Sequence, residues 1–308
     1  MAWNRDSLWA KACVFIERAF NESKDDPLFG LWAALGLELL ARSAIAHVSP
    51  TLLADPDREQ KQLLHALGKG SERVPKKSIG SAQILKLCST LFNEFTDEHQ
   101  KLCTAIINRR NEELHSGSSA FDEYPSSQWL SGFCRSCKAL CECQGKSLTE
   151  LFGDEEAENA DELLKQEKSE VEGKVKSAIA AHKKVFNSKS EKDQNLARAS
   201  AETLTQQLSW KGHHKVECPS CKSSASVSGV LYGLERVTHD DGEVVVRQPV
   251  SPRKFECSAC DLRLNSYAEL EVVSMGGRHT RTSHYSPEDY FGLVDPENFE
   301  PDCEYDNE

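Results

Sequence analysis

The chain has 308 residues, enough for two separately cored domains, and carries a formal net charge of -12 with 28% charged side chains. That balance excludes a general nucleic-acid binder working through overall positive charge, so any contact with RNA has to rest on a local basic patch. Charges recur every few residues from MAWNRDSLWAKAC onward, which predicts no signal peptide. No apolar run of membrane-spanning length is read after it, and the twelve Cys are read as reduced thiols of a cytoplasmic protein.

Residues 1–152 read as helices separated by turn signals. Trp9, Ala12, Cys13, Ile16 and Phe20 form one stripe, closed by the polar NESKDDP. Leu28 to Val48 is nearly all apolar and ends at Pro50, which predicts the central, most buried helix. Its polar exceptions, Glu38 and Arg42, lie four apart. They are read either as a self-satisfied intrahelical pair or as a second shell beside a site. His47, near the end of that helix, reads as a cap. Asp57 to Leu67 is a further candidate helix. The loop LGKGSERVPKKSIG follows, with Lys69, Arg73, Lys76 and Lys77. It is either solvated surface or the best local place for backbone phosphates in an acidic chain.

Ser78 to Phe92 and Asp97 to His115 continue the helical pattern, and Ser116-Gly117 supplies a stop. The last turn reads Arg110-Asn111-Glu112-Glu113-Leu114-His115. Asn111 and His115 are one turn apart, with Arg110 flanking them, so a guanidinium, an amide and an imidazole are expected in one sector at an exposed helix end. Arg and His there also suit the helix dipole. The same kit can handle a phosphodiester, Arg clamping a phosphate and His carrying a proton.

This stretch resembles the Arg-polar-x-x-x-His signature of the HEPN family (higher eukaryote and prokaryote nucleotide-binding domains), with Arg110, Asn111 and His115 matching position by position. The resemblance covers about half of the chain. It implies a metal-independent endoribonuclease in which a ribose 2′-OH attacks the adjacent phosphate. His115 would act as general acid or base, Arg110 would stabilise the phosphorane charge and Asn111 would orient groups. It further implies an RNA substrate, a homodimer with a composite site, and a toxin–antitoxin or antiviral-defence setting with an antitoxin or defence-system partner protein.

In YPSSQWLSGFCRSCKALCECQGKSL, Trp129, Phe133, Cys137, Leu140 and Cys141 recur at helical spacing. Cys134, Cys137, Cys141 and Cys143 invite a metal reading, but they fit an apolar helix face and lack knuckle turn residues, so they read as core cysteines. Residues 153–210 are highly charged with a thin apolar stripe, and read as one or two connecting helices with little core of their own.

Cys218-Pro-Ser-Cys221 and Cys257-Ser-Ala-Cys260 can give tetrahedral thiolate coordination of a structural zinc. Between them, Ala225 to Val237 and Glu243 to Phe255 are strand-like and flank the turn Asp240-Asp241-Gly242. Two knuckles on β-hairpins resemble a zinc ribbon, here with an enlarged hairpin, over residues 211–294. His213, His214, His279 and His284 lie near in sequence, and HTRTSHYSPEDYFG could pack aromatics on the ribbon. Residues 295–308 read as an acidic tail. The expected architecture is multidomain α+β: an N-terminal all-α bundle, a helical connector and a small β zinc ribbon. Two other functions stand beside the nuclease: a non-catalytic module that binds RNA, nucleotide or protein, and an adaptor in which the ribbon and long helices do the recognition.

Overall fold

The computed structural model describes residues 3–292. The expected acidic tail, 295–308, lies outside the described residues. The chain is mixed α+β and divides into two compact units, Met1–Glu170 and Val171–Glu308.

The first unit is helical. α1 (Arg5–Phe20) starts where Asn4 Oδ1 accepts from Ser7 N at 3.0 Å. α2 (Pro27–Val48) starts where Asp26 accepts from Leu28 N at 2.8 Å, with Pro27 pre-set for the first turn. α2 is the expected central helix. Twelve of its residues are buried, and it packs against α1, α4 (Ser81–Leu91), α5 (Asp97–His115) and α6 (Leu130–Glu142). By length and composition α2 could cross a membrane, contrary to the expectation that the chain has no such run. Most of it is buried inside the unit, and the core of a helical bundle imposes the same composition.

The candidate helix over 57–67 shrinks to α3 (Lys61–Ala66). The Asp57 carboxylate takes the amide hydrogens of Glu59, Lys61 and Gln62, each at 3.0 Å, and Gln60 is left-handed, so helical geometry starts late. After α6, the short α7 (Leu148–Phe152) opens on a reciprocal cap between Ser147 and Glu150. Cys134, Cys137 and Cys141 are buried free thiols in the α6 face of the core. Burial pushes Cys134 and Cys141 up to about 12, so both are inert core residues.

α8 (Asp154–Asn187) contains the boundary between the units. Its first half belongs to the bundle, where Ala157 and Ala160 are buried, Lys138 pairs with Asp161 and Arg135 with Glu167. Its second half and α9 (Glu191–Trp210) belong to the other unit, where Val175, Phe186 and Ala201 enter the core. The stretch expected as a 153–210 connector is therefore divided between two cores. Its thin stripe is enough because Phe186 is fully buried under the Lys189 ammonium and the Arg198 guanidinium.

The second unit carries a curled antiparallel sheet. β1 (His214–Glu217) pairs with β2 (Ser224–Leu231), which pairs with the long β4 (Glu243–Glu256). β3 (Arg236–Asp240) and β6 (His279–Tyr285) pair with the first half of β4, and β5 (Arg263–Leu264) with its end. The β3–β4 turn puts Asp241 and Gly242 at φ +45° and +83°, the two positive values of a type I′ hairpin. The expected continuous strand 225–237 is broken between β2 and β3. A register shift occurs at Ser228/Gly229, where a Cβ on Gly229 would lie 2.3 Å from the Ser251 carbonyl oxygen. β6, within the segment expected to pack aromatics on the ribbon, adds seven paired positions along β4. The short helices α10 (Tyr267–Val272) and α11 (Pro287–Phe291) complete this unit, the Phe291 ring standing edge-on to His239 at 6.2 Å.

Candidate functional site

The four cysteines of the two knuckles converge. Their sulfurs all lie within 4.8 Å of one another, and all four residues are buried. Cys218 to Cys260 and Cys221 to Cys257 are each 3.6 Å apart. A disulfide would hold sulfurs at roughly 2.05 Å. Tetrahedral thiolates about 2.3 Å from an ion would stand roughly 3.8 Å apart. The arrangement thus fits a structural metal held by four sulfurs. Among the described residues no other group of His, Cys, Asp or Glu converges in this way. His213, His214, His279 and His284 stand outside the set: His214 stacks on His279 at 4.7 Å, and His284 Nδ1 meets Glu243 at 2.9 Å.

The two knuckles are built alike. Cys218 N donates to Ser223 O and Lys222 N to Cys218 O; Cys257 N donates to Leu262 O and Asp261 N to Cys257 O. In each, the residue after the second Cys is left-handed, Lys222 at φ +61° and Asp261 at +59°. Hydrogen bonds from Cys218 and Cys257 hold the Cys260 sulfur far below the usual thiol range, while its bonds to Cys218 and Cys260 push Cys257 up. α8 braces both loops: Ser220 Oγ donates to Ile179 O at 3.1 Å, and His182 Nδ1 reaches Cys260 O at 2.6 Å.

The second place of interest is the end of α5. Asn111 and His115 are exposed there, one turn apart, as the periodicity predicts. Arg110 is turned inward. Its side chain is 13% exposed and Nη2 donates to Glu38 Oε2 on α2. The other oxygen, Glu38 Oε1, accepts from Arg42 Nη2 at 2.7 Å and Nε at 3.0 Å. Glu38 and Arg42 are therefore an intrahelical pair and also the immediate surroundings of Arg110.

Burial pushes the Glu38 carboxyl up, but the hydrogen bonds and charges of Arg42 and Arg110 outweigh it and hold the group below the usual carboxylate range. Two guanidiniums on one carboxylate leave one positive charge in excess. Arg110 Nε is buried with no hydrogen-bond partner. The turn after α5 is fixed from within the same motif, because Glu113 Oε2 accepts from Ala120 N at 2.7 Å and Phe121 N at 3.4 Å.

Lys69, Arg73, Lys76 and Lys77 are exposed on the loop between α3 and α4, and none has a side-chain partner among the described residues. The loop itself is pinned. Gln62 donates to Pro75 O and accepts from Lys77 N, and His65 Nε2 meets Val74 O at 3.0 Å. Its far end joins the arginine cluster, since Arg42 Nη1 donates to Ser78 Oγ at 2.7 Å and Nη2 to Ile79 O at 3.3 Å. Ser78 and the link to Arg110 escape sequence reasoning because both partners are distant in the chain. Only the four-residue spacing of Glu38 and Arg42 is a local signal.

No protein-family model matches the chain, and neither a curated protein nor a solved structure does.

Proposed function

We propose that the chain is a HEPN-type endoribonuclease whose second unit is held by a structural zinc. The carrying observation is the Glu38–Arg42–Arg110 cluster. It sets two guanidiniums on one carboxylate at the base of the helix end that exposes Asn111 and His115. Arg110 and His115 are five positions apart, about 7.5 Å along the helix axis and roughly 140° around it, so a phosphate between them has to sit at the helix end.

In this reading the ribose 2′-OH attacks the adjacent phosphorus and the 5′ oxygen leaves. His115 moves a proton to or from these oxygens, Arg110 answers the charge on the phosphorane, and Asn111 hydrogen-bonds a phosphate oxygen. The products are a 2′,3′-cyclic phosphate and a free 5′-hydroxyl. The basic loop of Lys69, Arg73, Lys76 and Lys77 supplies phosphate contacts away from the bond that breaks. Zinc is assigned to Cys218, Cys221, Cys257 and Cys260; four sulfurs fill its coordination, so it holds the fold.

One His is thin for both proton transfers, and a homodimer would bring a second. Support comes from α2, where Leu28 is exposed and Leu31, Leu35 and Leu39 are only partly buried on the side that leads toward Glu38. Incubation with RNA in EDTA tests the chemistry: cleavage with cyclic phosphate ends is expected, and its loss in EDTA from protein that stays folded overturns the metal-independent route.

A second reading, a binding module that does not cut, is favoured by the commitment of Arg110 to Glu38. RNA bound without turnover would establish it.

A further inference from the structure

A cleft of about 190 Å³ opens in the first unit between the start of α2 and the segment that leads into α6. It is small beside the ~300–1,000 Å³ of sites for drug-sized ligands, and holds roughly one side chain. Its floor is aromatic, with Phe29, Phe121 and Trp129 nearly fully buried and Tyr124 half-buried. Gly30 makes the floor possible, because a Cβ there would lie 2.3 Å from the Phe121 ring.

The rim is acidic. Asp25 and Asp122 are exposed with no side-chain partner among the described residues, and Asp26 caps α2. Of the cations beside the cleft, Lys24 is drawn to Glu156 at 3.3 Å, and the Arg109 guanidinium stands 5.7 Å from the Tyr124 ring centre while paired with Glu112. Ser126 also lines the cleft. It is only 8% exposed, and its hydroxyl has no hydrogen-bond partner among the described residues. Its hydroxyl, unpaired within the chain, can accept a hydrogen bond from a donor that enters the cleft.

We propose that this cleft receives an arginine side chain presented by a polypeptide partner. A metal ion does not suit it, because Asp25, Asp26 and Asp122 do not converge as ligands. A guanidinium suits each element at once. It is flat enough for an aromatic floor, and its five N–H donors can reach two separated carboxylates and the Ser126 hydroxyl. A polypeptide is favoured over free arginine because the amino acid's own carboxylate would enter a rim of three others. The assignment is independent of any nuclease activity.

The test uses isotope-labelled full-length protein and the indole N–H signal of Trp129, which donates to Tyr124 O at the cleft. N-acetyl-arginine amide should shift that signal saturably, and N-acetyl-citrulline amide, its neutral analogue, should not. Asp122→Asn and Ser126→Ala, with unchanged circular dichroism, should each weaken binding about tenfold, since both remove an acceptor from a charged donor. Free arginine binding as tightly as the amide overturns the polypeptide assignment. Equal shifts with citrulline amide, or no saturable shift with either amide, overturn the site.

Discussion

Arg110 on α5 and Glu38 on α2 meet although they are seventy-two positions apart in the chain, and the same carboxylate also holds Arg42 one turn along its own helix. The carboxylate is thus the common counterion of two guanidiniums, each about six-sevenths buried. Removing it strands both. Glu38→Ala should destabilise the first unit by about 3–5 kcal/mol, the cost of leaving buried charge unpaired. Arg42→Ala should cost less, because Arg110 still answers the carboxylate. Denaturant titration of the full chain, followed through helical circular dichroism, gives both values. A Glu38→Ala protein as stable as the parent would show the cluster to be solvated.

The same pair sets an acid limit. The Glu38 carboxyl is lowered in the folded chain, so its stabilising contribution is present above the ordinary carboxylate pKa and is lost as pH falls through the folded value. Stability of the parent should therefore fall below about pH 4.5, and the Glu38→Gln chain should lose less on the same descent. Equal slopes for the two proteins would contradict this.

His99 gives a second, separate pH effect. Burial, with Arg135 nearby, lowers it to about 4, and its Nδ1 accepts from Thr96 N at 3.0 Å at the start of α5. A histidine kept neutral in the fold costs stability whenever the unfolded chain would protonate it. The loss begins near the unfolded pKa of about 6.5 and is complete below the folded value, amounting to roughly 3 kcal/mol. His99→Gln should flatten the stability profile between pH 6.5 and 4. An unchanged profile would locate the titration elsewhere.

What the chain discloses by itself is what is local. The Cys218–Cys221 and Cys257–Cys260 pairs are legible because a knuckle is four residues long, and α2 because its apolar run is continuous. Glu38 and Arg42 are legible as a pair by their spacing. Arg110 as their third member is not, since no periodicity spans two helices. β6 is not legible as a strand, because its alternation of Thr, Arg, Ser and His carries little apolar contrast and it is ordered by pairing with β4. The division of α8 was hidden for the same reason: a charged helix with a thin stripe reads alike whether it crosses solvent or seals a small core.

For the chemistry, His115→Ala should lower RNA cleavage by about a hundredfold or more, the range of general acid–base catalysis. His115 is exposed at the end of α5, so the fold should survive and thermal unfolding should not move. Asn111→Ala should give a smaller loss of rate. Cleavage at the parental rate by a folded His115→Ala protein would remove the nuclease assignment and leave the binding reading.

The four-cysteine site makes the sharpest distinction between the two units. All four sulfurs belong to the second, and the knuckle loops are tied into its core through Cys218, Cys221, Cys257 and Cys260 together with Val175 and Phe186 of the helices. That core is small, so metal binding and folding should be one event there. Freshly purified protein should carry about one zinc per chain, by elemental analysis. Cys257→Ser or prolonged chelation should abolish ordered signals from the sheet. The bundle buries its own larger core, with Ile16, Phe29, Leu37, Leu40 and Phe133 fully enclosed, and should keep its helical circular dichroism. Loss of both units together on chelation would mean that the bundle depends on the second unit for its fold. Protein free of zinc but with an intact sheet would mean that the four thiols hold their places by packing alone.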